Sequence, residues 1–441
     1  MLPPDDGGRI SMWNVTKHLV ACGAELTVVS LHEGEYTDST VTHDDVSFRH
    51  ILLPHSTRNS LAAITRSLFS SPPLYLAKHS SPHVLAQLRV LCRQEKYDIL
   101  HADHTAMAPV ALALKREFGM PVGLRLHNVE WMIWKRYAQS LGLMDPRRLY
   151  VNWQAKKLKR AEARCIAQSD VSFTMSAVDE QRAGELVREY RAVYSGSGAL
   201  YSGSGAVYSG SGALYSGSGA VYSGSGETLA AKPIADMPEG RIITAAAGVN
   251  TDEWGAPATN QRHPHELVLA AAWSWEHNVK GLDWFVSEVL PRVRKELPDV
   301  HLVLPGKHLP ERYRTGSVSG VTAQGYVPVM QPYYHSAALF VCPLFVGSGV
   351  RIKIMEAMAA GLPVVATRVG AEGVTATEQD GLIISDDPAV QAQKILECLQ
   401  DPERRERLSA NARMFTQKHH EWRTEIAKIY AEYKRITNAL R

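Results

Sequence analysis

The segment 345–367, FVGSGVRIKIMEAMAAGLPVVAT, holds the residue types and spacing that say most about chemistry. It follows an apolar run that predicts a buried strand, and its loop contains Gly347, Ser348 and Gly349. About eleven residues of helical pattern come next and predict a helix that stops at Gly361, since glycine readily adopts the left-handed conformation that ends helices. A strand, a glycine loop and a helix in this order leave backbone N–H groups open at the start of the helix.

Two cations lie at the start of this predicted helix. Arg351 and Lys353 fall in its first turn, where the helix dipole disfavours each positive charge by roughly 0.3–1 kcal/mol. An anion bound beside them would offset that penalty, and the backbone N–H groups would add to its attraction. The pattern therefore predicts a phosphate site, and the alternative is a pair of solvated surface cations.

Length and composition bound the class of protein. The chain has 441 residues, 45% of them hydrophobic, which predicts two domains with sizeable cores. Lys and Arg number 48 against 45 Asp and Glu, so no overall field favours nucleic acid as a partner. The five cysteines show neither metal-ligand nor disulfide spacing, and no apolar run is long enough to span a membrane. We expect a soluble, cytoplasmic protein.

Strand and helix patterns alternate along both halves of the chain. In the first half the predicted strands are 25–31, 46–53, 99–102, 121–126 and 171–175, and the predicted helices are 10–21, 83–95, 106–117 and 146–167. In the second half the predicted strands are 267–272, 300–304 and one near Val321, and the predicted helices are 282–295 and 423–438. The alternation predicts an α/β protein with a doubly wound parallel sheet in each half, joined near 251–263.

A tandem repeat, Ala-Val/Leu-Tyr-Ser-Gly-Ser-Gly, fills residues 192–226 in five uninterrupted copies. Its period of seven resembles a coiled-coil heptad, but two glycines in each copy would cost a helix about 2 kcal/mol. We therefore expect a flexible, low-complexity insert in a surface loop of the first half.

The 345–367 segment resembles the signature of the group 1 glycosyltransferases, the family 4 retaining enzymes of GT-B fold. In that family a helix after a glycine loop carries two glutamates eight positions apart, followed by Ala-Met-Ala-x-Gly-x-Pro-Val-Val. Glu356 matches the second glutamate, which the resemblance assigns to the ribose of a nucleotide, and Ser348 stands in place of the first. A branch of the family with Gly-x-Gly-x-Arg-x-Lys before this helix shares that departure.

The resemblance implies a donor site for a nucleotide diphosphate sugar, built from several segments. Arg351, Lys353 and Lys280 would neutralise the leaving diphosphate. Gly7 and Gly8 match the glycine pair at which the family's first loop approaches the phosphates. For Lys280 the alternative is a surface lysine at the start of a helix.

Other matching positions concern the sugar and the base of the donor. His127 ends a predicted strand and matches a family histidine near the donor sugar's hydroxyls, with Asn128 and Glu130 as close companions. The alternative for His127 is a structural histidine. Tyr326 and Val327 match the positions at which the backbone of family members contacts the nucleobase of the donor.

The resemblance also implies an architecture. The GT-B fold has two Rossmann-like domains facing a cleft, which we expect at residues 1–256 and 257–418, with a helix at 419–441 crossing back to the first. The family's first β-strand has no visible counterpart, because only Met1 and Leu2 precede the matching segment. We expect the missing strand to leave its neighbours unpaired.

The implied reaction moves a hexosyl unit from a nucleotide sugar to a saccharide or lipid-linked acceptor with retention of configuration. Cell-surface polysaccharide or glycoconjugate biosynthesis is the implied setting. No metal or other cofactor is expected, since the adjacent aspartate pairs lack the Asp-x-Asp form that holds a divalent ion in other glycosyltransferases. Two alternatives stay open: a catalytically inactive protein without the first strand, and a sugar-nucleotide epimerase or hydrolase on the same fold.

A basic helix leaves a further partner open. The predicted helix 147–164 is rich in lysine and arginine, and Trp131, Trp134 and Trp153 are close to it in the sequence. Cations beside aromatic side chains are typical of a peripheral membrane surface, here the inner face of the membrane. The alternative is a solvated helix face.

Overall fold

The computed structural model describes residues 7–200, 220–222, 228–230, 240–255, 262–347 and 349–440. The chain divides into two compact units. We call Val20–Ala245 with Ile429–Arg441 the N-terminal unit, and Met1–Leu19 with Ala246–Lys428 the C-terminal unit. The predicted domain boundary at 256–257 lies outside the described residues and stays a prediction.

Both units are built from alternating strands and helices. The strands are β1 (Thr27–His32), β2 (Thr37–His43), β3 (Val46–Pro54), β4 (Leu100–Asp103), β5 (Val122–Leu126), β6 (Val171–Thr174), β7 (Ala220–Tyr222), β8 (Thr228–Ala230), β9 (Arg241–Thr244), β10 (Glu266–Val268), β11 (His301–Pro305), β12 (Val321–Gly325), β13 (Leu339–Cys342), β14 (Val364–Ala366) and β15 (Leu382–Ile384).

The α-helices follow the same alternation. They are α1 (Gly7–Ala21), α2 (Leu61–Phe69), α3 (Leu74–Ala77), α4 (Pro82–Gln94), α5 (Ala108–Phe118), α6 (Glu130–Ser140), α7 (Arg147–Gln168), α8 (Ala177–Leu200), α9 (Thr251–Trp254), α10 (Glu276–Trp284), α11 (Leu290–Glu296), α12 (Glu311–Arg314), α13 (Gln331–Ser336), α14 (Ile352–Ala359), α15 (Pro388–Gln400), α16 (Pro402–His419) and α17 (Trp422–Leu440). A π-helical turn, Phe285–Val289, joins α10 to α11.

The C-terminal unit contains one six-stranded parallel sheet of order β12-β11-β10-β13-β14-β15. Its inner strands, β10, β11, β13 and β14, are short, mainly apolar and buried, as a parallel sheet covered by helices requires. One face packs against a cluster that includes Phe285 and Ile395, and the other against a cluster that includes Ile354 and Met358. Strand order changes direction between β10 and β13, which are hydrogen-bonded neighbours.

Apart from the short β7–β8 pair, the described part of the N-terminal unit contains two sheets. β4, β5, β6 and β9 form a parallel sheet in that order, and its core includes Leu124 and Ile166. β1 pairs in parallel with β3, and β2 pairs antiparallel with β3. Among the described residues no strand joins the two sheets, since β1 pairs only with β3 and β4 only with β5.

The β2–β3 hairpin was not predicted from the sequence. Its turn residues, Asp44 and Asp45, have φ of 49° and 60°, as in the tight type I′ turn that connects adjacent antiparallel strands. Aspartate tolerates these left-handed values better than most residues. β2 reads TDSTVTH and is largely exposed, so it carries no apolar alternation that would reveal a strand.

The first copy of the repeat has a different backbone conformation from the one predicted. Helix α8 continues through the first copy and ends at Leu200, so the expectation of a non-helical loop is wrong for that copy. A helix already formed over residues 177–191 adds each further residue at low cost, which outweighs the glycine penalty locally. The backbone at 220–222 pairs antiparallel with 228–230. The flexibility predicted for the rest of the insert concerns residues outside the described ranges.

Candidate functional site

The predicted strand, glycine loop and helix form β13, the loop after it and α14. Gly347 has φ of 144°, and a Cβ on it would overlap Nη2 of Arg351, so the loop lies directly against the guanidinium. Ser348 lies outside the described residues, and Gly349 is buried with φ of 81°. Only glycine adopts both conformations without strain, which explains the Gly-x-Gly pattern.

The start of α14 corrects one detail of the sequence analysis. The helix begins at Ile352, and Arg351 is its N-cap residue with extended backbone, so Arg351 precedes the first turn that it was predicted to occupy. Lys353 does lie in that turn. No side chain caps the start of α14, and its first turn contains no acidic residue. The positive end of the helix dipole is therefore not offset by an acidic side chain of that turn.

The end of α14 follows the prediction closely. Gly361 has φ of 74°, its N–H donates to the carbonyl of Met358 at 3.0 Å, and the N–H of Leu362 donates to Ala357 at 2.8 Å. This pair of bonds is the Schellman motif that closes helices at a left-handed glycine. It fixes the length of α14 and therefore the direction in which its first turn points.

The loop before α14 lies at the point where the strand order of the sheet reverses. In doubly wound sheets this is where the carboxyl ends of adjacent strands diverge and ligands bind. The ammonium of Lys353 donates to the carbonyl of Ala270, just past the end of β10, at 3.3 Å. Lys353 therefore joins the exits of β10 and β13, the two strands that flank the reversal.

Lys353 and Glu356 are both partly buried, and each affects the charge of the other. Burial lowers the pKa of Lys353, with Arg351 adding to the decrease and Cys342 and Glu356 opposing it. Burial raises the pKa of Glu356 to about 7, and the charge on Lys353 opposes that rise. Tyr334, buried and stacked on Trp254 at 5.1 Å between ring centroids, has its pKa raised by burial and then by Glu356. Burial thus disfavours the charged form of both Lys353 and Glu356, and the opposite charge of each partly offsets that effect on the other.

The start of a second helix lies beside α14. Gly7 begins α1, and a Cβ built on Gly7 would be 3.8 Å from Cδ1 of Ile352, the first residue of α14. Gly8 follows in the same turn. Lys17, further along α1, forms a 3.7 Å ion pair with Glu253, which holds α1 within the C-terminal unit. The first described residue of α1 therefore lies against Ile352, between Arg351 and Lys353 in the sequence.

Lys280 lies on α10, which follows β10. Its ammonium is largely exposed and forms an ion pair of 2.8 Å with Glu276, one turn earlier. The adjacent Gly281 is buried, and a Cβ there would overlap the carbonyl oxygen of Pro343, just after β13. The small residue brings α10 against the exit of β13, so the Lys-Gly pair of the sequence lies at the same strand reversal as α14.

Tyr326 and Val327 follow directly after β12, two strands away from β10 in the sheet. The Tyr326 ring is 62% exposed, and Nζ of Lys307 lies 4.6 Å from its centroid. Gly306, at the end of β11, has φ of 140° and lies against the carbonyl of Ala271, where a Cβ would not fit. An exposed aromatic ring with a cation beside it can stack on a flat aromatic ligand.

His127 belongs to the N-terminal unit and lies at the exit of β5. Its Nε2 is 2.8 Å from Oδ1 of Asp103, which also accepts from Nη1 of the buried Arg125 at 3.0 Å. Burial alone would raise the pKa of Asp103, but the charges on Arg125 and His127 outweigh it and hold that pKa well below its usual value. Asp103 is therefore ionised, and the contacts of Nε2 with Asp103 and with Arg125 fix the orientation of the His127 ring.

A second histidine stacks beside it. His104 lies 5.0 Å from His127 between ring centroids, and its Nδ1 is 2.7 Å from the Tyr75 hydroxyl. Burial lowers the pKa of His104 to about 3, so the ring is neutral at physiological pH. Its φ of 147° is unusual for a residue with a side chain, and such backbone strain concentrates at functional sites. Tyr75 therefore places a hydroxyl group beside His104, near the C-terminal end of β4.

Two buried glutamates complete this edge of the unit. Burial raises the pKa of Glu130 to about 7, while hydrogen bonds from Asn128 and Tyr75 oppose the rise. Burial and the charge of Glu130 raise the pKa of Glu162 to about 8. Glu162 accepts from the backbone N–H groups of Glu130 at 2.9 Å and Trp131 at 3.1 Å, the opening residues of α6. Glu162, which lies in α7, therefore caps the start of α6.

Sequence reasoning missed the partners of His127. None of Asp103, His104, Glu162 and Tyr75 was singled out from the sequence. The available signal was position, since Asp103 and His127 both end strands of one parallel sheet, whose carboxyl ends meet at one edge. Spacing along the chain could not reveal contacts between residues 24 or more positions apart.

No three His, Cys, Asp or Glu side chains among the described residues gather in a way that could hold a metal ion. No described helix combines the length and apolar character needed to cross a bilayer. The five cysteines are free thiols, three of them buried.

Family models of glycosyltransferases match both parts of the chain. Residues 264–401 match the family described as "Glycosyl transferases group 1". Residues 6–194 match the family described as a "Glycosyl transferase 4-like domain".

Solved structures of low sequence identity share the fold. Sucrose-phosphate synthase from Thermosynechococcus elongatus has a TM-score of 0.65 at 17% identity, over 98% of this chain and 94% of that one. The α,α-trehalose 6-phosphate synthase of Burkholderia multivorans has a TM-score of 0.58 at 13% identity, over 100% and 96%. HepE of Anabaena, in complex with UDP and glucose, has a TM-score of 0.53 at 12% identity, over 86% and 85%.

A relative by sequence is an uncharacterized 44.6 kDa protein in the cps region of Klebsiella pneumoniae. It is 26% identical over 166 residues, which are 35% of this chain and 42% of that protein, so the match spans less than half of the relative. The match at 264–401 lies within the C-terminal unit and the match at 6–194 lies mainly in the N-terminal unit, and the two α/β units with parallel sheets agree with them. These matches and the shared fold identify the chain as a glycosyltransferase with a two-domain, GT-B-like α/β fold.

Proposed function

We propose that this glycosyltransferase moves a hexosyl unit from a nucleotide diphosphate sugar to a hydroxyl of a saccharide or lipid-linked acceptor, with retention of configuration. One observation carries the proposal. Helix α14 starts at the strand reversal of the C-terminal unit with Arg351 and Lys353 at that start, and Gly7 of α1 lies against its first residue, Ile352. Open N–H groups and two cations there suit a diphosphate better than any neutral ligand.

The chemistry assigns each group a role. The bond between the sugar's anomeric carbon and the phosphate oxygen breaks, and the nucleoside diphosphate leaves with the bonding electrons. The acceptor oxygen bonds to the same face of that carbon, and its proton passes to the leaving phosphate oxygen. Arg351 and Lys353 stabilise the negative charge that develops on the diphosphate, so they act mainly in the transition state.

The remaining predicted residues orient the donor. Glu356 accepts hydrogen bonds from the ribose hydroxyls, an interaction that requires its ionised form. Tyr326 and Val327 meet the nucleobase, and Lys280 adds charge near the phosphates. His127, held by Asp103, contacts the hydroxyls of the transferred sugar.

Similar proteins support this choice of donor. HepE of Anabaena has been solved in complex with UDP-glucose, and a trehalose-phosphate synthase of Burkholderia vietnamiensis is described as UDP-forming. The match to a Klebsiella protein of the cps region supports a setting in cell-surface polysaccharide or glycoconjugate biosynthesis. We further propose that the reaction takes place in the cytoplasm and needs no metal cofactor.

Binding and turnover test the proposal separately. The full chain is heated with a panel of nucleoside diphosphates and their sugars, and a ligand at about a hundred times its Kd should stabilise the folded state by about 2.7 kcal/mol. No rise in melting temperature with any nucleotide would contradict the donor site. Donor turnover is then followed with and without saccharide acceptors. Acceptor-independent release of free sugar would indicate a hydrolase, and the anomeric configuration of a transfer product tests retention.

A further inference from the structure

Tyr433 lies on α17, the last helix of the chain, and is buried against the four-stranded sheet of the N-terminal unit. Its ring centroid is 5.9 Å from that of His101 on β4 and 5.6 Å from that of Phe173 on β6. A Cβ on Gly123 of β5, the strand between them, would overlap the Tyr433 ring and hydroxyl. The glycine therefore lets this tyrosine approach three adjacent strands.

The side of the sheet that Tyr433 covers also carries the His127 site. Because successive side chains of a strand alternate between faces, His101 and Asp103 share one face of β4. The residues that pair with them in register, Gly123 and Arg125, likewise share a face of β5. His127 follows at the exit of β5, and its contacts with Asp103 and Arg125 place it on the same side.

A chain of contacts runs from Tyr433 to His127. The Tyr433 hydroxyl is hydrogen-bonded to Nδ1 of His101. Nε2 of the same ring lies 3.8 Å from Oδ1 of Asp103, which is beyond hydrogen-bond range but close enough for a charge to act on a dipole. Oδ1 of Asp103 in turn lies 2.8 Å from Nε2 of His127. These four side chains are at most 20% exposed, so water screens their interactions weakly.

The charge on Asp103 favours one of the two neutral tautomers of His101. With the proton on Nε2, the N–H dipole points toward the carboxylate, and Nδ1 is free to accept from the Tyr433 hydroxyl. With the proton on Nδ1, a lone pair would face the ionised carboxylate instead. Burial, and then the charge on Asp103, raises the pKa of Tyr433, so its hydroxyl keeps the proton that this arrangement requires.

We infer that Tyr433 is a positioning residue of the proposed transferase: it holds His101 with its Nε2–H toward Asp103 and thereby supports the Asp103–His127 pair. The orientation of His101 is independent of the reaction, whereas its effect on turnover rests on the proposed role of His127. A tyrosine that only fills space would need its ring and not its hydroxyl. The variant Tyr433→Phe, which keeps the ring, separates the two cases.

Nitrogen NMR of the full chain with isotope-labelled histidine tests the orientation of His101 without any substrate. Loss of signals in His101→Gln assigns those of His101. At mildly alkaline pH we expect an unprotonated Nδ1 and a protonated Nε2 in the wild type, and a mixture of both tautomers in Tyr433→Phe. A protonated Nδ1 in the wild type, or the same single tautomer in Tyr433→Phe, would overturn the inference.

Kinetics of the same variant measures the effect on transfer. We expect kcat/KM to fall about 2–10-fold, as for the loss of one hydrogen bond. The acidic limb of the pH profile should move to higher pH, because an ionised Asp103 with less support takes up a proton more readily. The rise in melting temperature with a nucleoside diphosphate should be unchanged, since the phosphate site lies in the C-terminal unit. Tyr430→Phe removes another hydroxyl from α17 and should behave like the wild type.

Other groups around Asp103 are the same in the wild type and the variant, so a shifted pH profile reports on the hydroxyl of Tyr433. Besides that tyrosine, the charged or titratable groups that act on the carboxylate include Arg125, His127, His101 and His104. Unchanged kcat/KM and pH profile in Tyr433→Phe would overturn the positioning role. A wild type that turns over no donor would contradict the proposed function, and the tautomer of His101 would then decide the inference by itself.

Discussion

Lys353 reaches from the first turn of α14 to a backbone carbonyl at the end of the neighbouring strand. A hydrogen bond of 3.3 Å to Ala270 is a modest interaction, and burial already lowers the pKa of this lysine. A cation held in such surroundings is poorly compensated by the protein alone. An incoming diphosphate would supply the missing negative charge, which is why the residue is better explained by a ligand than by stability.

Replacement of Lys353 by methionine tests this explanation. We expect turnover to fall at least ~10-fold, with little loss of folding, because methionine keeps the apolar stem but not the charge. Steady-state kinetics and circular dichroism measure the two effects. The control Lys394→Met removes a cation paired with Glu378 and Glu397 in the same unit and should leave turnover unchanged. Equal kinetics in the wild type and in Lys353→Met would contradict the assigned site.

Glu356 provides a prediction with a definite sign. Its pKa is raised from 4.5 to about 7, so between these values the folded chain binds more protons than the unfolded chain does. The contribution of this group to the free energy of unfolding therefore falls as pH rises through that window. In Glu356→Gln that loss is absent, so the stability of the variant relative to the wild type should grow from about pH 5 to about pH 8.

The same variant should be a poorer enzyme. Glutamine at position 356 cannot accept from both ribose hydroxyls as a carboxylate can, and we expect at least ~10-fold lower kcat/KM. Denaturant titrations at several pH values and kinetics on the same preparation measure both effects, and Glu403→Gln, on the surface of α16, serves as the control. A variant with lower stability at every pH and unchanged activity would show that Glu356 is structural.

At the scale of elements, α14 is fixed at its end more firmly than at its start. The left-handed Gly361 and the bond from Leu362 to Ala357 set where the helix stops. Arg262 donates to the carbonyls of Ala360 and Gly361, both at 2.9 Å, and satisfies groups that a helix end leaves open. The first turn, with its open N–H groups, is therefore held in place from the far end of the helix.

Gly361→Ala tests that anchoring. The new Cβ would require a φ of 74° from alanine and would lie 2.8 Å from Oγ of Ser409, so we expect a loss of about 1–2 kcal/mol. Urea unfolding of the full chain measures it. Gly142→Ala, where a Cβ meets open space, should change stability by less than about 0.5 kcal/mol. A comparable effect of the two substitutions would contradict the role of the left-handed turn.

At the scale of the whole molecule, the repeat is an insertion between β6 and β9 of the four-stranded sheet. β6, which precedes the insert, pairs in parallel with β9, which follows it. The sheet therefore forms without any strand from the repeat. Deleting residues 206–219, two copies, leaves α8 and the 220–222 strand in place. We expect turnover within about threefold of the wild type, since loop length costs folding little. A complete loss of activity would show that the insert takes part in function.

Much of this architecture could be read from residue patterns. The apolar runs 121–126 and 300–304 became β5 and β11 as expected, and Gly361 ended its helix as predicted. What could not be read were features set by contacts distant in sequence. β2 is a strand because β3 pairs with it, Arg351 is excluded from the helix by the loop geometry at Gly347, and His127 is oriented by Asp103. Their local sequences favour no single outcome.

The division of the N-terminal unit into two sheets has a practical consequence. Within the described chain, one side of β1 and one side of β4 present rows of N–H and C=O groups to no other strand. Such unpaired strand edges can form hydrogen bonds with an extended segment, including one from another molecule. Concentrated solutions of this protein should therefore scatter more light on storage, and a short soluble peptide that occupies these rows should suppress the increase.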